Sequence, residues 1–263
     1  MIPILTLTTD FGLTDHYVGT MKGVILGRCP AAIIVDVCHE VSPFSLWQGA
    51  YTIDQAAPFF NAGTTHVVVV DPGVGTSRRA VLVEAIGQRF IAPDNGVLSM
   101  ILARDHTAIA REITNRDLFL PALSSTFHGR DVFAPVAAML ASGLSRVEDV
   151  GPVISDLIVL PDFGPAQTQP GHWDGRVLSV DRFGNIITNF KSNRFITPGA
   201  AVHIGGHIVR SFRRTFGDEG PQGECFYYPG SSGFIELAIS WQSAAQSLGA
   251  APGTKVRLSE GPR

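Results

Sequence analysis

The sequence predicts a two-domain protein, in which an N-terminal α/β sandwich on a mainly parallel central sheet precedes a smaller, antiparallel, barrel-like β domain. Apolar runs typical of strands alternate with segments of helical periodicity over residues 1–150. Residues 161–171 are rich in proline and glycine and are typical of a linker. Beyond them, short β-prone runs are separated by turns. We therefore expect domains at residues 1–165 and 166–263.

Each expected element follows from the spacing of its apolar residues. The run His66–Val70 is almost continuously β-branched, which is typical of a strand covered on both faces. The longest helix should begin through Ser42 and Pro43, because a serine before a proline commonly starts a helix. We expect strands at residues 2–8, 32–37, 66–70, 175–180, 201–204, 207–212 and 234–239, and helices at residues 17–26, 44–60 and 132–140.

Composition limits the classes of partner. Hydrophobic residues make up 45% of the 263 residues, enough for a sizeable core, and only 16% are charged, which favours burial of surface between subunits. The net charge of −3 makes nucleic acid an unexpected partner. Residues 1–165 hold 10 Lys/Arg and 16 Asp/Glu (net −6), whereas residues 166–263 hold 10 and 7 (net +3). Head-to-tail contact between subunits and two separately solvated surfaces fit this asymmetry equally well.

Cysteine usage and the N-terminal residues indicate a cytoplasmic location. Cys29, Cys38 and Cys225 are odd in number and form no C-x-x-C motif, so neither a disulfide framework nor a zinc site is expected. The first residues are typical of a strand rather than of a signal peptide. No apolar run reaches the roughly 18 residues of a membrane helix, so no membrane partner is expected.

Three aspartates stand where expected strands end, namely Asp10, Asp36 and Asp71. In open α/β sheets, ligands bind beyond the carboxyl ends of the strands, so these residues indicate the position of a site. Asp10 lies in a TDFG motif, and its two carboxylate oxygens could accept hydrogen bonds from both hydroxyls of a ribose. An Asx-turn that shapes the loop fits Asp10 equally well.

The motif DPGVGTSR runs from Asp71 to Arg78 after the most apolar expected strand. Its two glycines allow close approach of the backbone to a ligand. It is neither a Walker loop nor a dinucleotide fingerprint, because no Gly-Lys-Ser/Thr follows and Arg78 stands where a third glycine would be. Asp71 and Arg78 could form a structural ion pair or a polar pair that orients water.

Two further motifs contain hydrogen-bonding side chains beside turns. His128 lies in TFHGRD before an expected helix, where a neutral imidazole can accept or donate a hydrogen bond, although capping or packing is an alternative role. Arg130 and Asp131 are expected to form a local charge pair. Asp181 and Asn185 bound the motif DRFGN, which is compatible with a ligand-binding turn or a plain hairpin turn.

Together the motifs resemble those of the S-adenosylmethionine (SAM) hydroxide adenosyltransferase family, whose relatives include the SAM-dependent fluorinase and chlorinase. TDFG, DPGVGT, PDNG, TFHGRD and DxFGN occur in this order, and the resemblance continues through SSGFIE. Each motif alone is weak, whereas the ordered set is highly specific. The resemblance implies an N-terminal α/β domain, a C-terminal β domain and a homotrimer, with each ligand between the N-terminal domain of one subunit and the C-terminal domain of its neighbour.

The resemblance also assigns binding roles. Asp10 matches the family's ribose-binding carboxylate, and Phe44 stands where the halogenases carry a tryptophan against the ligand, so its ring would pack on ribose or adenine. Asp181 matches the family residue that contacts the methionine ammonium group, and Asn185 matches a residue that contacts adenine. A methionine-binding stretch of the family matches the segment that contains Ser231, Ser232 and Glu236.

The residues that match the nucleophile site favour water over halide. Asp71, Arg78 and His128 match the residues around a water in the family's hydrolases. The halogenases instead carry Tyr at Asp71, Thr at Val74 and Ser at Gly129. A carboxylate beside a halide is unfavourable at low dielectric. The resemblance therefore implies that water attacks C5′ of SAM to give adenosine and L-methionine, with either Asp71 or His128 as the base.

Three other functions stay open on the sequence: a SAM-dependent halogenase, a non-catalytic sensor of adenosine or SAM, and a metal-dependent hydrolase with Asp and His ligands. A sensor would have no need of the charged cluster beside C5′. The histidines show no metal-ligand spacing and no H-E-x-x-H motif occurs. We therefore expect no metal and no cofactor, with SAM as the small-molecule substrate.

Overall fold

The computed structural model describes residues 2–161 and 164–261. Contacts divide the chain into two units, Met1–Leu160 and Pro161–Arg263. Asp162 and Phe163, which belong to the predicted linker, lie outside the described residues. Over the two described ranges, no helix has both the length and the apolar character that a membrane span requires.

The first unit is an α/β sandwich on one sheet. Its elements are β1 (Ile4–Thr9), α1 (Tyr17–Arg28), β2 (Ile33–Cys38), α2 (Leu46–Ala56), β3 (Thr65–Val69), β4 (Ala80–Ala85), β5 (Gln88–Pro93), α3 (Ser99–Arg104), β6 (Ile109–Glu112), α4 (Ala134–Ala141) and β7 (Val153–Ile154). The strand order is β2-β1-β3-β5-β4-β6-β7. Strands β2, β1, β3 and β5 are parallel, and β4, β6 and β7 extend the sheet in antiparallel fashion.

Alternating side chains cover both faces of this sheet. Leu5 and Val67 pack in one cluster with residues of α1 and α4, whereas Val68 and Val70 pack in another with residues of α2 and α3. Every residue of β3 is buried. The prediction that this apolar run is covered on both faces is therefore confirmed.

Helix α2 begins later than the sequence predicted. Ser45 is its N-cap and accepts a hydrogen bond from Gln48 N at 3.4 Å, whereas Ser42 and Pro43 lie in the preceding loop. Phe44 has φ of 66°, which is not a helical conformation. The predicted start at residue 44 is wrong because two serines could cap this helix, and the local sequence does not distinguish them.

The second unit is a mainly antiparallel β domain, as predicted. Its elements are β8 (Ala166–Gln169), β9 (His172–Val180), β10 (Ile186–Lys191), α5 (Ser192–Phe195), β11 (Ala201–Ile204), β12 (His207–Val209), β13 (Ser211–Phe212), β14 (Cys225–Pro229), β15 (Phe234–Ile239), α6 (Ala244–Leu248) and β16 (Lys255–Ser259). The strand order is β12-β11-β16-β9-β10-β15-β14-β13, and β8 pairs with β9. The short strand β13 pairs with β14 in parallel. Because β12 also approaches β14, the sheet is nearly closed into a barrel.

Part of the predicted linker is a strand in this unit. Residues Ala166–Gln169 form β8 against the N-terminal half of β9, although all four residues of β8 are exposed. The proline and glycine content of the segment masked an edge strand, because an edge strand needs little apolar sequence. Phe190, Phe195 and Tyr227 lie in the core of the unit with the inward residues of β11, β15 and β16.

Candidate active site

Three charged side chains of the first unit form a cluster beyond the end of β3. Arg78 Nε lies 3.0 Å from both carboxylate oxygens of Asp71, and Arg78 Nη2 contacts Asp71 Oδ2. The same Nη2 lies 2.8 Å from His128 Nδ1. The side chains of Arg78 and Asp71 are only 9% and 5% exposed. The fold therefore brings together the three residues that the sequence assigned to the nucleophile site.

The contact with Arg78 determines the tautomer of His128. A guanidinium has only donors, so His128 Nδ1 must accept and the ring proton must lie on Nε2. Burial lowers the pKa of His128 below its ordinary 6.5, and the charge of Arg78 lowers it further, against the opposing effect of Asp71. At neutral pH, His128 is therefore a neutral imidazole whose free ring nitrogen is a donor.

The loop between Asp71 and Arg78 depends on Gly75. Gly75 has φ of 79°, and a Cβ there would lie 2.4 Å from the Ser125 carbonyl oxygen. A side chain would therefore meet the backbone of the segment that precedes His128. The loop that precedes Arg78 therefore packs closely on the segment that precedes His128.

His128 leads into a π-helical turn, Gly129–Phe133, which continues as α4. Asp131 in this turn is fully buried, pairs with Arg130 and accepts a hydrogen bond from Ser124 N at 2.7 Å, so the predicted local charge pair is confirmed. Single π-helical turns occur frequently at functional sites. The turn also places Gly129 in a confined space.

That space is filled by neighbouring side chains. A Cβ on Gly129 would lie 3.1 Å from Met21 Sδ, 3.3 Å from the ring of Phe127 and 3.4 Å from the ring of Phe11. Phe127 and Phe11 are themselves in edge contact, with ring centroids 5.9 Å apart. Gly129 therefore has no hydroxyl, and a side chain there would require small shifts of its neighbours.

Asp10 lies at the same edge of the sheet as Asp71. Its Oδ2 accepts a hydrogen bond from Phe44 N at 2.9 Å. Burial raises the pKa of Asp10, the Phe44 N–H opposes that rise, and the negative charge of Asp71 adds to it. Phe44 holds a backbone conformation that is uncommon for a bulky residue, and the residue is 70% exposed.

Asp36 departs from the prediction that it ends a strand. It lies within β2, opposite Leu7 of β1, and its carboxylate contacts Lys22 Nζ at 2.5 Å and His39 Nε2 at 3.0 Å. These contacts engage both oxygens of Asp36 and lower its pKa. Asp36 is therefore part of a structural network rather than a free carboxylate.

In the second unit, Asp181 organises the DRFGN turn. Its Oδ1 accepts hydrogen bonds from the backbone N–H groups of Phe183 at 2.9 Å and Asn185 at 2.8 Å. Its Oδ2 accepts from Asn185 Nδ2 at 2.7 Å. Gly184 between them has φ of 85°, and its Cβ would meet Ser243 Oγ at 2.2 Å, so this turn packs directly on the segment before α6.

Glu236 is a second carboxylate of this unit and is only 8% exposed. Tyr228 donates a hydrogen bond to its Oε2 at 2.5 Å, and Ser232 donates to its Oε1 at 3.4 Å. Burial raises the pKa of Glu236, and the charge of Asp181 adds to the rise while Tyr228 opposes it. A buried carboxylate with a raised pKa is suited to bind a cation, which would favour its charged form.

These residues line a cavity of about 790 Å³ within the second unit. The predicted residues that line it are Asp181, Asn185, Ser231 and Glu236; Ser232 contributes through its contact with Glu236. Another cavity of the unit, of about 570 Å³, contains none of the predicted residues.

Sequence reasoning missed the aromatic part of the larger cavity. Phe183, Phe216, Tyr228 and Trp241 also line it, and Trp241 is fully exposed with φ of 64°. Such backbone strain at a bulky residue leaves no trace in the sequence, and the strand pattern of β14 hides the role of Tyr228. The exposed aromatic side chains provide flat surfaces for a planar ligand.

Comparison with known proteins agrees with both units. The family models described as SAM hydroxide adenosyltransferase N-terminal domain and C-terminal domain match residues 5–151 and 175–257. A protein of Thermus thermophilus named (R)-S-adenosyl-L-methionine hydrolase is 40% identical over 266 residues, covering 98% of this chain and all of its own length. Its namesake in Salinispora tropica is 37% identical over 268 residues, covering 98% of both chains.

More distant relatives and a solved structure extend the comparison. A protein of Actinopolyspora mzabensis named fluorinase is 29% identical over 290 residues, covering 97% of both chains. The crystal structure of an uncharacterised conserved protein from Thermotoga maritima has a TM-score of 0.87 at 38% identity and covers 98% of this chain and all of its own. Fold and site thus define a class of proteins that join an α/β unit to a β-barrel unit. This chain belongs to the SAM hydroxide adenosyltransferase family.

Proposed function

We propose that this protein hydrolyses SAM by attack of water at C5′, giving adenosine and L-methionine. The observation that carries the proposal is the Asp71–Arg78–His128 cluster, which the fold assembles from two loops. The names of the more similar relatives specify SAM hydrolysis and the (R) configuration at sulfur. We therefore assign (R)-SAM as the preferred substrate.

In the proposed reaction, the water oxygen forms a bond to C5′ while the C5′–S bond breaks in line. The electron pair of that bond remains on sulfur, so the sulfonium leaves as the neutral thioether of methionine and needs no acid. A proton of the water passes to the protein and then to solvent. Holding water in line is the main contribution of the site, and neither a metal nor a cofactor takes part.

The tautomer of His128 separates the roles within the cluster. Its Nδ1 lone pair is engaged by Arg78, so His128 can donate a hydrogen bond from Nε2 but has no free lone pair to accept a proton. Asp71 keeps unused lone pairs beside its contacts with Arg78 and is the acceptor for the water proton. Arg78 positions both of the other side chains.

The remaining predicted residues bind the two ends of the substrate. Asp10 accepts hydrogen bonds from the ribose hydroxyls, and the exposed ring of Phe44 covers ribose or adenine. Asp181 and the buried Glu236 bind the methionine ammonium group, with Ser231 and Ser232 beside it and Asn185 at adenine. The cavity around Asp181 and Glu236, with its exposed aromatic rings, supports this assignment.

Assembly and location complete the proposal. The catalytic cluster and the amino-acid-binding residues belong to different units, and the residues 1–165 and 166–263 carry opposite net charges. These features support a homotrimer with each site formed by the first unit of one subunit and the second unit of its neighbour. We place the protein in the cytoplasm.

The decisive experiment is turnover of each sulfonium epimer of SAM in chelated buffer made with ¹⁸O-labelled water and containing chloride. We expect labelled adenosine, unlabelled methionine and faster turnover of the (R) epimer. Labelled homoserine together with methylthioadenosine would refute attack at C5′, and 5′-chloro-5′-deoxyadenosine would identify a halogenase. Retention of intact SAM would identify a sensor, and loss of turnover on chelation would identify a metal-dependent hydrolase.

Replacing Asp71 tests the mechanism itself. Asp71→Asn keeps the shape of the side chain but removes the proton acceptor, so kcat should fall by about 10²-fold or more while KM changes little. Steady-state kinetics and SAM binding measure the two effects separately. The exposed Asp117→Asn is the matched control, and an unchanged kcat in Asp71→Asn would remove Asp71 from the reaction.

A further inference from the structure

Behind Asp10, a chain of polar contacts runs through the buried His39, which has no role in the proposed reaction. His39 is 4% exposed and Thr9 is fully buried. His39 Nδ1 lies 2.9 Å from Thr9 Oγ1, and its Nε2 lies 3.0 Å from Asp36 Oδ1. Lys22 Nζ closes the chain at 2.5 Å from the other oxygen of Asp36. Four side chains from β1, α1, β2 and the residue after β2 are thus linked.

The hydrogen-bond donors and acceptors along this series of side chains are consistent with a single tautomer of His39. Asp36 is held ionised by Lys22, and its Oδ1 lies 3.0 Å from His39 Nε2, an ion-pair distance without hydrogen-bond geometry. A proton on Nε2 is the tautomer that this nearby carboxylate favours. Nδ1 is then an acceptor, and the Thr9 hydroxyl donates to it. The same hydroxyl oxygen accepts a hydrogen bond from Phe11 N at 3.3 Å. The contacts therefore extend from Asp36 through His39 and Thr9 to the peptide N–H of Phe11, which follows Asp10.

His39 also joins the two loops that carry Asp10 and Phe44. Its carbonyl oxygen accepts a hydrogen bond from Gly12 N at 2.7 Å, and Thr9 O accepts one from Val41 N at 3.4 Å. Thr9, directly before Asp10, and Gly12, two residues after it, are therefore both held by contacts to the segment after β2. That loop supplies the Phe44 N–H that binds Asp10 Oδ2.

We propose that His39 is a positioning residue for ribose recognition, which fixes the carboxylate of Asp10 through Thr9 and through the loop that carries Phe44. The inference rests on the proposed function, because it takes Asp10 as the group that binds the ribose hydroxyls. A residue buried only for stability would hold the fold without affecting the choice between ribose and deoxyribose. Selectivity for the ribose hydroxyl is therefore the property that tests it.

The experiment compares adenosine with 2′-deoxyadenosine by calorimetric titration of the full-length protein, so that no turnover is needed. The wild type should bind adenosine more tightly by about tenfold or more, as expected for a hydrogen bond to a charged group. His39→Ala should bring this ratio close to that of Asp10→Asn. The double variant should show no further loss, because both changes affect the same contact.

Two other variants distinguish a specific effect of His39 from a general loss of folding. His39→Asn places an amide near the Nδ1 position and should restore part of the selectivity, whereas the exposed His106→Ala should leave it at the wild-type value. Full selectivity in folded His39→Ala would overturn the inference while leaving the proposed function intact. A wild type that binds adenosine without distinguishing the deoxy analogue would overturn the role of Asp10 and the inference together.

Discussion

His128 accepts a hydrogen bond from Arg78 through Nδ1, and this contact favours one of the two proposed bases over the other. The sequence allowed either Asp71 or His128 to be the base. In the structure, Nδ1 of His128 is engaged by Arg78, so of these two residues Asp71 is the one that keeps lone pairs for the proposed proton transfer. Arginine is thus more than a partner of the carboxylate, because it also fixes the polarity of the imidazole.

The state of His128 leads to a prediction about pH. Burial and Arg78 lower its pKa, so the ring should stay neutral as the pH falls through 6.5 and gain a proton only below that value. Protonation would put a second donor against Arg78 and break the contact. We expect ring-nitrogen NMR to show the Nε2–H tautomer and a midpoint below 6.5, with His128→Gln to assign the signal. A midpoint above 6.5 would contradict the arrangement described here.

For individual residues, the sequence predicted which side chains of the first unit meet but not which contacts hold them in place. The order of the motifs was sufficient to select Asp71, Arg78 and His128. The conformation of Phe44 and the contact of Tyr228 with Glu236 depend on tertiary packing, which has no local signature. The sequence analysis therefore misplaced Phe44, whose backbone conformation is strained, and missed Tyr228, whose strand pattern conceals its contact with Glu236.

Strands were more predictable than the ends of helices. Continuous burial of β3 requires continuous apolar sequence, so its position follows from composition alone. The start of α2 depends on which of two serines caps the helix, and β8 is an exposed edge strand in a segment with the composition of a loop. Elements with few buried side chains leave little pattern to recognise.

The loop after β3 should tolerate alanine at one glycine and not at the other. Gly75→Ala would combine a positive φ with a Cβ 2.4 Å from Ser125 O, whereas a Cβ on Gly73 meets Arg78 Cγ at an ordinary 3.4 Å. We expect Gly75→Ala to lower kcat/KM at least tenfold and to destabilise the fold by about 1–3 kcal/mol. Gly73→Ala is the control, measured by kinetics and urea unfolding. Equal behaviour of the two variants would disprove the account of this loop.

His66 links three strands and should make folding sensitive to acid. Its Nδ1 lies 2.7 Å from Thr6 Oγ1 and its Nε2 3.1 Å from Gln88 Oε1, so β1, β3 and β5 meet at one buried ring. Burial lowers the pKa of His66 to about 4 from 6.5. Between these values the unfolded chain binds a proton that the folded protein does not bind. The free energy of unfolding should therefore decrease as the pH decreases from 6.5 towards 4.

The expected loss is roughly 2–3 kcal/mol between pH 7.5 and pH 4.5 from this residue alone. Urea unfolding of the wild type and of His66→Gln at both values, at equal protein concentration, isolates the contribution. The exposed His106→Gln should keep the wild-type pH dependence. If His66→Gln kept it as well, another group would be responsible for the loss.

For the whole molecule, the proposal that each site combines two subunits can be tested by mixing inactive variants. Asp71→Asn removes a function of the first unit and Asp181→Asn one of the second, so each homotrimer should be inactive. Randomly reassembled trimers would contain intact sites at about one quarter of the wild-type number, by simple combination of subunits in a closed ring. Activity near that level after co-refolding is expected. No recovery would place both halves of the site in one chain.

The crowded space around Gly129 constrains the order in which mutations could accumulate during evolution. The family resemblance implies serine at this position in the related halogenases, and here an added Cβ would lie 3.1 to 3.4 Å from Met21 and two phenyl rings. A lineage that acquired the serine first would pass through a poorly packed intermediate. Met21 has a flexible thioether and yields more easily than the rings. The side chain at position 21, nine residues after the TDFG motif, is therefore the one whose adjustment would make room for the serine, and it influences which chemistry this fold can next acquire.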